Sequence, residues 1–115
     1  MDLKVLTWLQ DIRQSIDEIF EFLPEDLKFE EYQKDLKTKK AVERNIEIIG
    51  EAVKRIINTD SDFPIENARR IVDTRNRIIH GYDSISDEII WGIVVSELPN
   101  LKDEVSQILD EERRH

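Results

Sequence analysis

No cysteine occurs in the chain, which excludes a disulfide framework and any thiolate metal site. Glycine and proline number three each, so turn punctuation is scarce and long regular elements are expected. Imidazole comes only from His80 and His115, too few for a histidine cluster; neither a metal nor a cofactor is expected. No apolar run approaches the ~18–20 residues that span a bilayer. The start, Met1-Asp2-Leu3-Lys4, lacks the basic and apolar character of a secretory signal. No membrane association is expected, and the expected compartment is the cytoplasm. Neither a Gly-x-Ser-x-Gly elbow nor a phosphate loop is present.

What is present is charge. Asp, Glu, Lys and Arg make up 37% of 115 residues, and the net charge is −9. An acidic balance argues against a broad electrostatic grip on nucleic acid, but the basic residues are not evenly spread. Residues 69–77 carry Arg69, Arg70, Arg75 and Arg77 against Asp73 alone. The length suits one domain over residues 1–115 with one core, domains running to about 100–150 residues.

Apolar residues recur at three- and four-residue steps, the helical period. A first helix is read over 3–22, with Leu6, Leu9, Ile12, Ile16 and Ile19 on its stripe and Pro24 as its stop. A helical turn is read around Phe29 to Gln33, held down by Phe29 and Tyr32. The second helix runs over about 36–58 through Val42, Ile46, Ile49, Val53 and Ile56. Gly50 sits in its middle at a cost of about 1 kcal/mol relative to alanine, and close approach by another backbone is the expected return. A third helix is read from Pro64 to Ile79 or His80, with Gly81 as C-terminal cap. The fourth starts at the N-cap Ser86. Pro99 is expected to kink or split it, and the tail from Asp110 is expected to fray. The fold class is therefore all-α, an up-down antiparallel four-helix bundle with a kinked or split last helix.

The third helix breaks its own pattern. Its apolar steps run 68, 71, 72 and 79, and Arg75 takes the intervening place. A guanidinium near a buried face is costly unless paired or facing a cavity. His80 follows one turn on, then Tyr82 beyond Gly81. Each has a bland explanation: Arg75 pairs with Glu47 or Glu51, His80 caps the helix end, and Tyr82 anchors a loop. Asp73 and Asn76 can orient Arg75 or His80, while Asp73 can equally pair with Arg69 or Arg77. Trp8 and Trp91 are read as core or interface residues rather than base-stacking platforms. Taken together, the trio has a chemistry. Histidine exchanges protons near neutral pH, and arginine holds phosphate by two parallel hydrogen bonds and stabilises charge developing on it. Together the two can support RNA cleavage without a metal; one of each makes a thin site, and a two-fold dimer that brings two copies together would strengthen it.

Arg75-Asn76-Arg77-Ile78-Ile79-His80-Gly81-Tyr82 resembles the Arg-x4–6-His signature of HEPN ribonucleases, with the His-x-Tyr ending of the HepT branch. The stretch from Ala41 to Ala52, with Gly50-Glu51-Ala52, resembles the second helix of that branch. Trp91 and the Leu98-Pro99-Leu101 region fit its fourth helix. The resemblance implies a homodimer with both Arg75/His80 pairs near the two-fold axis, acting as a metal-independent endoribonuclease toxin. It implies an MNT-type nucleotidyltransferase antitoxin as partner, which neutralises the toxin by AMPylation of Tyr82. Bulky anionic AMP beside Arg75 and His80 would block the site. The alternative is a non-catalytic helical partner, a substrate-binding subunit of a nucleotidyltransferase.

Overall fold

The computed structural model describes residues 1–80 and 86–114. Its elements are α1 (Leu3–Phe22), the short α2 (Phe29–Lys34), α3 (Leu36–Thr59), α4 (Ala68–His80), α5 (Asp87–Gly92), a π-helical turn (Ile93–Glu97) and α6 (Leu98–Arg113). No strand occurs among the described residues. With α5, the π turn and α6 joined end to end, four long helical stretches form an up-down bundle. The central pair α1 and α3 pack on each other; α6 lies on α1, and α4 lies on α3.

The stripes read from the sequence form the core. Leu9, Ile12, Ile16 and Ile19 of α1 and Val42, Val53 and Ile56 of α3 are wholly removed from solvent. Burial of such side chains stabilises the fold by about 1.5–3 kcal/mol each relative to exposure. Polar side chains set the helix starts. Asp2 accepts from the Lys4 amide at 2.7 Å and Asp35 from the Thr38 amide at 3.1 Å. Ser86 accepts from the Ile89 amide at 3.2 Å, the N-cap expected of it.

Phe29 and Tyr32 do pin the α1–α3 connection. Tyr32 is fully buried, and its ring centroid lies 5.1 Å from that of Trp91, with Phe29 at 5.8 Å from the same indole. Trp91 is thus a packing residue, as expected. The Tyr32 hydroxyl is buried with no hydrogen-bond partner among the described residues. Burial, and then the charges of Asp87 and Glu43, push its ionisation well above the usual phenol range.

Two expectations need correction. The third long helix begins at Ala68, not Pro64. Asn67 has φ 61°, a left-handed conformation that asparagine tolerates and a helix does not, so regular hydrogen bonding starts only beyond it. Ile65 is buried and holds the preceding loop to the body. The tail does not fray at Asp110: α6 continues to Arg113, because Leu109 is buried. The last helix is split, as expected, by a π turn just before Pro99. The Leu98 amide bonds to the Ile93 carbonyl, a five-residue step that widens the turn just before a residue with no N–H to give. The proposed Gly81 cap lies outside the described residues, as does His115.

Candidate functional site

Gly50 and Arg75 meet where α3 crosses α4. A Cβ at residue 50 would collide with Cβ of Arg75 and lie 2.7 Å from its Cγ, with the Ile71 carbonyl oxygen at 3.4 Å. The glycine therefore makes room mainly for the stem of the arginine, and only secondarily for backbone. Arg75 is 16% exposed. Its Nη2 pairs with Glu51 Oε2 at 2.5 Å, and its Nη1 donates to Asn76 Oδ1 at 2.7 Å. Nε, also buried, has no hydrogen-bond partner among the described residues. Of the two carboxylates weighed from sequence, Glu51 is the partner; Glu47 pairs with Arg44 at 3.0 Å. Glu51 holds a second cation as well, with Arg55 Nε 3.2 Å from its other oxygen.

These residues border a cleft of about 230 Å³ between α1, α3 and α4. Its apolar floor comes from Trp8, Ile48, Ala52 and Ile79, and its rim carries Arg44, Arg55 and Arg75 against Asp11, Glu47 and Glu51. The α4 stripe explains the position of Arg75. Ile71 and Val72 are buried, whereas Ile79 is 45% exposed, so the stripe enters the core at one end and opens into the cleft at the other. The basic stretch does not gather into one patch. Arg70 reaches away to Glu97 at 3.0 Å, while Arg69 and Arg77 stand in solvent.

Asn76 is half-buried and orients the Arg75 guanidinium. Asp73 is exposed and takes no ion pair among the described residues, so neither Arg69 nor Arg77 holds it. His80 is the last residue of α4 and is exposed. Five residues of helix separate it from Arg75, which amounts to about 140° of rotation and roughly 7.5 Å of rise. Arg75 turns toward α3, so one helix alone does not aim both groups at one point. Tyr82 lies outside the described residues. Among the described residues, no group of three or more His, Cys, Asp and Glu side chains is placed to hold a metal. No helix among them is long and apolar enough to cross a membrane. Sequence reasoning passed over Trp8 and Arg55 as cleft residues. The Glu51-x3-Arg55 spacing one residue after Gly50 was the available signal.

The bundle thus carries an arginine in the apolar stripe of a helix that ends in histidine, with the Arg-x4-His spacing read from the sequence. The family model described as "Ribonuclease HepT-like" matches residues 12–108, and the chain belongs to that family. It is 39% identical over 109 residues to a Methanocaldococcus jannaschii protein named "Putative RNase MJ0127", covering 91% of this chain and 87% of that one. It is 38% identical over 99 residues to a Thermococcus cleftensis protein named "Probable ribonuclease HepT", covering 83% of this chain and 86% of that one. No solved structure gives a significant match.

Proposed function

We propose that this chain, one domain over residues 1–115, is the endoribonuclease toxin of a HepT–MNT toxin–antitoxin pair, acting in the cytoplasm on RNA without a metal. Arg75 clamps the scissile phosphate and steadies the negative charge that builds on it. His80 accepts the proton of the ribose 2′-hydroxyl as that oxygen attacks phosphorus, and a protonated imidazole returns a proton to the departing 5′-oxygen. Asn76 holds the guanidinium in register. A homodimer brings two copies of the Arg75/His80 pair to a two-fold axis, which answers the divergence of the two side chains on a single helix. The antitoxin transfers AMP from ATP to the Tyr82 hydroxyl, releasing pyrophosphate and placing an anion against Arg75.

The observation that carries this reading is Arg75 itself. It is a nearly buried guanidinium with a glycine opposite to make room for it, at the edge of a cleft, with Nε unengaged among the described residues. An arginine with a purely structural role would be cheaper to replace by leucine at that step of the stripe. One observation favours the second reading, a non-catalytic substrate-binding partner of a nucleotidyltransferase: Glu51 already neutralises Arg75.

Three purified forms tested on RNA separate the two. Unmodified protein is expected to cleave RNA in the presence of EDTA. Protein incubated with the nucleotidyltransferase and ATP, and the His80→Ala variant, are expected not to. Intact mass should rise by whole AMP units in the second form and stay unchanged when Tyr82 is replaced by Phe. Failure of all three forms on varied RNAs would favour the non-catalytic reading.

A further inference from the structure

A second concavity, about 470 Å³ in volume, shares no lining residue with the Arg75 cleft. Its walls are Phe20, Leu23 and Leu27 at the end of α1 and beyond, and Trp91, Val94 and Val95 on the last helix. Its volume lies within the roughly 300–1,000 Å³ of ordinary binding pockets. Val95 is 56% exposed and Phe20 37%, so apolar side chains that no described residue covers stand together in a groove. The π turn Ile93–Glu97 supplies one wall, burying Val94 and turning Val95 outward.

The segment that supplies one wall of the groove is acidic in sequence, although Asp17, Glu18 and Glu21 also line a neighbouring concavity with Arg13. Residues 17–31 carry seven carboxylates against Lys28 alone, a net of −6 where the whole chain has −9. Glu25 lines the groove. Glu21 and Asp26 are exposed beside it in sequence, and exposed Glu88 lies one helical turn before Trp91. Lys102, which pairs with Asp17 at 2.7 Å, is the one cation bonded to this segment among the described residues. A second copy of the chain would bring the same carboxylates face to face, and like charges in apposition oppose association.

We propose that the groove receives an amphipathic helix of a second protein. The apolar face of that helix seats on Trp91, Val94 and Val95, and its lysines or arginines lie against Glu21, Glu25 and Asp26. Helix-in-groove recognition works through apolar anchors at i, i+3, i+4 and i+7, and the acidic rim selects a basic helix over an acidic one. This assignment is independent of the nuclease reading.

The probe is a synthetic peptide with leucine at those spacings and lysine elsewhere, followed by the fluorescence of Trp91 in a Trp8→Phe variant. Saturable one-to-one binding is expected, weakening as salt is raised. Val95→Asp, at an exposed position, should weaken it by about tenfold or more, and Glu21→Lys with Glu25→Lys by several-fold. The far-ultraviolet circular dichroism of Val95→Asp should match that of the parent. Equal binding of a peptide with glutamate in place of lysine would overturn the proposal, as would an affinity unchanged by Val95→Asp. A dimer in sedimentation that Val95→Asp dissolves would assign the groove to a second copy and overturn it as well.

Discussion

Helix α3 packs against α1 and against α4 by different means. Toward α1 the buried residues are mostly isoleucine, leucine and valine, and none of them is charged. Toward α4, the seam centres on Gly50 and Arg75, a missing side chain opposite a charged one. The guanidinium needs two partners to be tolerated where it lies, Glu51 and Asn76. An apolar seam tolerates repacking so long as volume is kept. A seam built around one charged side chain and one missing Cβ is specified atom by atom, and it borders the cleft.

The contrast can be broken at either seam. Leu9→Ala, in the apolar core, should cost about 2–5 kcal/mol in denaturant unfolding, while RNA cleavage per folded molecule stays that of the parent. Gly50→Ala should cost roughly 1–3 kcal/mol, because the new methyl meets the Arg75 stem. Here cleavage should fall further than the folded fraction does, since the guanidinium is displaced. Gly92→Ala is the matching control. A Cβ there meets nothing within 4 Å, so stability should rise by up to about 1 kcal/mol with cleavage unchanged. Equal effects of the two glycine substitutions would erase the distinction between the seams.

The smallest effect is expected at Tyr32, outside both seams. Tyr32→Phe removes a buried hydroxyl that lacks a partner among the described residues and should shift stability by less than about 1 kcal/mol at neutral pH. The pH dependence is more telling. The folded protein holds the phenol proton more tightly than the unfolded chain does, for which the ordinary value is 10.0. Stability from this group is therefore complete below pH 10 and is lost as pH rises beyond it. Unfolding at a series of alkaline pH values should show that loss in the parent and a flatter profile in Tyr32→Phe.

Much of this was legible in sequence because it depends on local pattern. The helical stripes, the Ser86 cap and the aromatic clasp of Phe29 and Tyr32 follow from spacing and residue type. So did Arg75, since a charge in an apolar stripe announces itself, and Gly50, whose cost demanded a compensating contact. What escaped depends on three-dimensional detail. A positive φ at Asn67 delays α4 by four residues, and asparagine carries that preference too weakly to be read. The π turn answers Pro99 several residues upstream of it. Trp8 and Arg55 join the cleft only because α1 and α3 cross beside α4, a relation that no single helix encodes. The apparent arginine cluster dissolved for the same reason: Arg70 and Arg75 sit five residues apart and leave the helix in different directions.

The central claim is that one guanidinium and one imidazole act on the same phosphate although a single α4 helix does not aim them together. Co-expression of Arg75→Ala and His80→Ala under different affinity tags, with purification of the mixed dimer, tests it directly. Each variant alone should be silent on RNA, and the mixed dimer should cleave, because one intact arginine and one intact histidine remain across the two-fold axis. A mixed dimer as silent as its parents, while the tagged wild-type dimer cleaves, would contradict the account.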